Sequence, residues 1–219
     1  MFHHIDIPVH KIEQINGRPE GRVYKTPENN FYPSITTLLG SLSDNSFLQE
    51  WYDRVGEETA KKITEDSKNR GNNLHKVCED YLNNLDIDLS NIDTKSNFLQ
   101  INPYVDKIQN IRGVEIPLYS NRIKIAGTSD CIAEYDGDLA IIDFKTSRKV
   151  KRVEWIEGYF IQASFYAIAF SELYNVPIPK KLVIIMATDE NCPCIFVEDT
   201  VKYGKLLINK QKEYYETLH

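Results

Sequence analysis

Asp130, Asp143 and Lys145 are the residues of this chain best suited to chemistry. Asp130 ends the run Ala126-Gly127-Thr128-Ser129-Asp130, Asp143 opens Asp143-Phe144-Lys145-Thr146-Ser147, and an Asp136-Gly137 pair lies between them. Asp-Gly between β-rich runs marks a two-residue hairpin loop of type I′. Counted outward from that loop, Asp130 and Asp143 fall directly opposite each other, with Cβ atoms about 5 Å apart on one face. Lys145 shares the face because strand side chains alternate. Facing like charges destabilise a sheet unless a positive group lies between them. Two hard oxygen donors beside an ammonium therefore make a place for a divalent metal and a phosphate. The chemistry that suits such a place is phosphodiester cleavage.

These groups need a frame. Residues 1–43 read as short extended segments followed by a short helix opened by Pro33-Ser34, with Ser34 as its N-cap. From about Asp44 to Asn84 the pattern is helical, with breaks expected at Gly56 and Gly71, and Phe47, Trp51 and Val55 form one core-facing stripe. Residues 85–96 read as a polar loop, and Asn102-Pro103 as the start of a helix to about Arg112. Val114–Tyr119, Arg122–Ala126, Thr128–Tyr135 and Asp138–Lys145 read as strands, the last buried on both faces through Leu139-Ala140-Ile141-Ile142. A helix over about Val153–Tyr174, strands at Leu182–Thr188 and Cys194–Val197 and a helix over Thr200–Thr217 complete the chain. The expected fold is α/β: a central mixed β-sheet flanked by helices, with a helical amino-terminal part (about 20–112) and a sheet core (about 113–200). At 219 residues with no linker, one domain is expected.

A net charge of −6 argues against a nucleic-acid partner until its distribution is considered. Arg148, Lys149, Lys151 and Arg152 cluster directly after Asp143 and Lys145, and such a strip can bind backbone phosphates locally. No apolar run is long enough to span a bilayer, so no membrane partner is expected. The start Met1-Phe2-His3-His4-Ile5-Asp6 lacks the features of a secretory signal or a transit peptide, and the expected location is the cytoplasm of a bacterial or phage-infected cell. Of the four cysteines, Cys78 and Cys131 read as small apolar core residues, and Cys192-Pro193-Cys194 lacks the further pair that an iron–sulfur cluster needs. No such cluster is expected, and a reducing cytoplasm disfavours disulfides.

The hairpin constellation resembles the PD-(D/E)xK nuclease superfamily, and further motifs resemble its RecB-like branch. Arg70-Gly71-Asn72-Asn73-Leu74-His75-Lys76-Val77-Cys78-Glu79 is similar to that branch's R-G-x-x-x-H-x-x-x-E helix, and Gln162 with Tyr166 to its Q-x-x-x-Y helix. Each of these pairs is spaced i, i+4 and shares a helical face. Arg22-Val23-Tyr24, Pro33-Ser34-Ile35-Thr36, Trp51 with Arg54, and Gly56-Glu57-Glu58 resemble the mitochondrial genome maintenance exonuclease group and its phage relatives. The resemblance implies a restriction-endonuclease-like core. It also implies Mg²⁺ or Mn²⁺ held by His75, Asp130, Asp143 and the carbonyl of Phe144, with Lys145 and Gln162 as catalytic partners. Glu79, Glu115 and Tyr166 are candidate supporting residues. Ser34, Thr36, Arg70, Thr146 and Ser147, with the basic strip Arg148, Lys149, Lys151 and Arg152, are candidate phosphate contacts. The implied activity is a DNA exonuclease preferring single strands, in replication, recombination or repair. Two other readings stay open: a structure-specific or Cas4-like endonuclease, against which the missing cysteines speak, and a catalytically silent DNA-binding module.

Overall fold

The chain runs through strands β1 (Glu13–Arg18), β2 (Gly21–Lys25) and β3 (Phe31–Pro33), then helices α1 (Ile35–Ser41), α2 (Ser46–Val55), α3 (Glu57–Leu82) and α4 (Ile92–Val105). Strands β4 (Ile108–Ser120), β5 (Ile125–Tyr135) and β6 (Asp138–Ser147) follow. A 3-10 turn at Val153–Trp155, α5 (Glu157–Tyr174), β7 (Lys181–Thr188), β8 (Cys194–Asp199) and α6 (Thr200–Thr217) close the chain. The computed structural model describes residues 1–19, 21–43 and 46–218, with all their side chains except those of Ser46, Phe47 and Gln49. The expected helix start at Asp44 and the place of Phe47 on its stripe lie outside that set.

Strands β4-β5-β6-β7-β8 form one sheet, antiparallel except for the parallel β6–β7 pair, and β1-β2-β3 form a small antiparallel sheet. The mixed sheet flanked by helices is the fold the sequence predicts. Alternation along β6 and β7 divides the interior in two. Ile141, Leu182, Ile184 and Met186 pack towards α5 and α6. Ala140, Ile142, Phe144, Val183, Ile185 and Ala187 pack on the other face with Leu74, Val77 and Cys78 of α3 and Phe98 and Ile101 of α4. Cys78 and Cys131 are fully buried there, as small apolar core residues should be.

The hairpin that carries the acids forms as its loop chemistry requires. Asp136 and Gly137 both have positive φ, 49° and 80°, the type I′ signature. The register pairs Tyr135 with Asp138 and continues to Cys131 opposite Ile142. One step further, Asp130 stands across from Asp143.

Elsewhere, tertiary packing moved the boundaries. Gly71 does not break α3: a mid-helix glycine costs about 1 kcal/mol, and the buried row Leu74, Val77, Cys78 and Leu82 holds the helix through it. Pro103 lies in the last turn of α4 rather than its first, and the helix starts at an Asn91 cap whose side chain accepts from the Thr94 N–H at 2.9 Å. The segment expected to be a loop to residue 96 is therefore helical from Ile92, and β4 begins at Ile108, inside the stretch expected to be helical. Gly127 does not divide β5. Ser34 caps α1 as expected, accepting from the Thr37 N–H at 2.9 Å.

Candidate active site

The pairs Val114–Cys131 and Ile116–Ser129 bracket Glu115 opposite Asp130. Glu115, Asp130 and Asp143 thus form a row of carboxylates across β4, β5 and β6. His75 on α3 closes over the row, with its Nδ1 3.5 Å from Asp130 Oδ2 and 4.0 Å from Glu115 Oε1. The Phe144 N–H donates to Asp130 Oδ2 at 2.9 Å and fixes that carboxylate. Asp143 is 1% exposed and meets Lys145 Nζ through Oδ2, while its buried Oδ1 has no hydrogen-bond partner among the described residues. Glu115 takes a left-handed backbone, φ 48°, inside a strand. Such outliers cost about 1–3 kcal/mol and persist where the surroundings over-determine them, often at functional sites.

The row opens into a cleft of about 590 Å³ lined by His75, Glu79, Glu115, Asp130, Lys145, Gln162 and Tyr166. Ser34 and Thr36 face it from α1, with Arg22 and Tyr24 beside them. Gln162 Nε2 donates to the Tyr166 hydroxyl at 3.1 Å. Close contact sets the rear wall: a Cβ on Gly127 would stand 2.9 Å from Tyr166 Cε1 and 3.0 Å from its hydroxyl.

Crowded carboxylates resist ionisation. Burial pushes the Asp143 carboxyl up to about 6, with Asp130 adding to the rise and Lys145 and His75 opposing it. Partial desolvation in the cleft raises Glu115 to about 7 although its side chain stays 38% exposed, aided by Asp130, Glu79 and Asp143 and opposed by His75. For Lys145, burial pulls downward, but Asp143 and Asp130 outweigh it and hold the ammonium above its ordinary value. Burial, with Asp130 and Asp143, keeps the Tyr166 phenol well above its usual range. Added positive charge stabilises such a cluster. His75, Glu115 and Asp130 each bring a donor atom within 4.8 Å of the others. Two carboxylates and an imidazole fit a hard or borderline divalent cation.

A pH dependence follows for the chelated protein. A folded-state pKa above the ordinary value means that the stability linked to Glu115 is complete below about pH 4.5 and is lost as pH rises through about 7. Glu115→Gln is therefore expected to melt above the wild type at about pH 8 and to lose that advantage near pH 4.5. Melting curves across the range test it, and a difference constant with pH sinks it.

The other predicted residues are placed less centrally. Arg70 lies outside the cleft, its Nη1 given to both Asp189 carboxylate oxygens at 2.8 Å. Ser147 is buried, and its Oγ donates to the Lys149 carbonyl at 2.8 Å. Thr146 is half-buried on β6, and Arg148 lines a separate depression with Asn69, Asn73 and Asn91. Lys149, Lys151 and Arg152 do not line the cleft. Sequence reasoning missed Tyr159, whose ring lies 5.1 Å from Lys145 Nζ, and Thr128, a cleft residue. Helical phase with Gln162 and Tyr166 could have flagged Tyr159, and alternation with Asp130 could have flagged Thr128. Nothing in the sequence pointed to the Arg70–Asp189 pair.

An α/β sheet with acids and a lysine at the centre of one hairpin defines a nuclease of the PD-(D/E)XK type. Residues 43–193 match the PD-(D/E)XK nuclease superfamily, and the chain belongs to it. It is similar to mitochondrial genome maintenance exonuclease 1 of Mus musculus, 28% identical over 158 residues that cover 64% of this chain and 45% of that protein. The Homo sapiens protein of the same name is 27% identical over 152 residues, covering 63% and 41%, and that of Xenopus tropicalis is 26% identical over 175 residues, covering 74% and 50%. The chain spans about half the length of the curated relatives it matches. The crystal structure of SSO0001 aligns at 17% identity and TM-score 0.39 over 78% of this chain and 70% of its own. Among the described residues no helix is long and apolar enough to cross a membrane.

Proposed function

We propose that this nuclease is a divalent-metal-dependent DNA exonuclease that prefers single strands and serves replication, recombination or repair. The row Glu115–Asp130–Asp143, with His75 above it and Lys145 at its end, carries the reading. The names of its relatives support the exonuclease part. His75, Glu115 and Asp130, whose donor atoms cluster, would hold Mg²⁺ or Mn²⁺, with the buried Oδ1 of Asp143, which lies outside that cluster, and the Phe144 carbonyl as further oxygen donors. A divalent cation there supplies positive charge that makes water a better nucleophile and offsets the charge of the phosphate.

Lys145 keeps its proton near neutral pH because two carboxylates stabilise the ammonium. It therefore serves as a fixed hydrogen-bond donor and not as a base, orienting the attacking water and steadying the charge that grows on the phosphate oxygens. Asp143 holds that ammonium in place. Gln162 and Tyr166, bonded to each other on the cleft wall, position the substrate backbone, and Ser34 and Thr36 face it from α1. Water adds to phosphorus opposite the 3′-oxygen, giving up a proton to solvent as the P–O3′ bond breaks, and the departing 3′-oxygen takes a proton from solvent. No covalent bond to the protein is required.

The test uses 5′-labelled and 3′-labelled linear single strands, duplex and closed circles, each with Mg²⁺, Mn²⁺ or chelator. Release of nucleotides from one end of single strands, only with metal and with circles intact, is the expected result. Nicked circles would replace the exonuclease by an endonuclease, and binding without cleavage in any metal would leave a DNA-binding module.

A further inference from the structure

We infer that the exposed ring of Trp155, backed by Arg152, is a stacking platform for an unpaired base of the DNA strand whose phosphate lies at Lys145. The inference rests on the nuclease reading above and adds the surface that selects single strands. Trp155 is 64% exposed although tryptophan is the largest apolar side chain available for burial. The backbone that carries it is tied down. Ile156 beside it is buried in the core, and the Trp155 N–H donates to the Arg152 carbonyl at 3.0 Å, the Ile156 N–H to Val153 at 3.2 Å and the Tyr159 N–H to Ile156 at 2.9 Å. The Arg152 guanidinium lies 5.5 Å from the Trp155 ring centre.

The platform is joined to the cleft through the start of α5. Lys145 lines the cleft and sits over Tyr159, four residues past Trp155 at the start of α5. Two cation–aromatic pairs, Lys145–Tyr159 and Arg152–Trp155, thus lie on one short stretch of chain, the first with its lysine in the cleft and the second four residues earlier outside it. Between Arg148 and Glu157 the four cations Arg148, Lys149, Lys151 and Arg152 outnumber the acids Glu154 and Glu157 even with Glu190 added, whose Oε2 accepts from the Val150 N–H at 3.1 Å. The local charge thus suits a phosphate backbone in a chain that is acidic as a whole. An unpaired base offers a free face to an aromatic ring, whereas bases in a duplex already stack on one another. Trp155 discriminates by that difference and is indifferent to sequence.

The test combines kinetics with fluorescence at fixed ionic strength, since phosphate contacts depend on salt. Trp155→Ala is expected to raise KM on single strands about ten-fold, the scale of one lost base stack, with kcat and the duplex KM unchanged. Trp155→Phe should restore most of the loss. The chain has two tryptophans, so in Trp51→Phe the emission reports Trp155 alone. A short oligothymidylate added in chelator should quench it, and duplex should not. An unchanged single-strand KM, or no quenching, overturns the platform while the cleavage that remains leaves the nuclease reading intact. Equal losses on single strands and duplex that Phe does not repair assign Trp155 a structural role and also overturn it. If the wild type neither binds nor cuts DNA, the nuclease reading falls and the platform with it. The kinetic arm needs no Trp51 variant, so a folding defect in Trp51→Phe cannot mask the answer.

Discussion

Asp143→Asn is expected to lower the cleavage rate by about 10³-fold with the fold intact, equivalent to losing ~4 kcal/mol of transition-state stabilisation. The substitution keeps the size of the side chain and removes one charge. That charge has two uses: Oδ2 holds the Lys145 ammonium, and Oδ1 is a buried acceptor without a hydrogen-bond partner among the described residues. Asparagine presents an amide where a cation requires an anionic oxygen, and Lys145 loses its anchor. The rate at saturating Mn²⁺ and Mg²⁺, with circular dichroism as a check on folding, measures the effect. A rate within ten-fold of wild type would move the chemistry away from this hairpin.

Lys145→Met should cost both activity and stability. Activity should fall by about 10²–10³-fold through loss of the donor that faces the growing phosphate charge. In chelator the variant should also unfold about 3–5 kcal/mol more easily, because removing one partner of a buried pair leaves the other charge uncompensated. Asp143 is 1% exposed and the Lys145 side chain 17%, so solvent screens the pair little. The sign with pH follows from Asp143. With Lys145 present its folded-state pKa is already raised to about 6, and loss of the ammonium that pulls it down raises it further, so in the variant the carboxyl is neutral below that value and becomes an uncompensated charge only as pH climbs beyond it. The penalty of Lys145→Met should therefore be largest above about pH 6 and shrink towards pH 4. Removing both charges in Asp143→Asn/Lys145→Met should cost less stability than Lys145→Met alone, a non-additivity expected of contacting groups. Denaturant unfolding at several pH values decides it: a penalty flat with pH, or strictly additive, contradicts the uncompensated-charge account.

The centre of the site was legible because the hairpin is local. Asp136-Gly137 sets the loop, strand alternation sets the faces, and together they bring Asp130 across from Asp143 without knowledge of the rest of the fold. The imidazole from α3 was legible only through family likeness, since no local rule ties His75 to a strand 55 positions later. What escaped was tertiary. Pro103 looked like a helix start and sits near a helix end because the Asn91 cap and the buried residues Phe98 and Ile101 fix α4. Gly71 looked like a break, yet the packing of α3 on the sheet outweighs its propensity. Arg70 looked like a phosphate contact by its motif, and its guanidinium reaches the residue just past the end of β7.

Positions 127 and 166 are not free to drift separately. With the Tyr166 ring against the bare backbone of Gly127, any side chain at 127 has to displace the wall of the cleft. With tyrosine at 166, a side chain at 127 is expected to cost a shift of that ring, and a smaller residue at 166 would relieve it. The order of substitution is therefore constrained by a single missing methyl group.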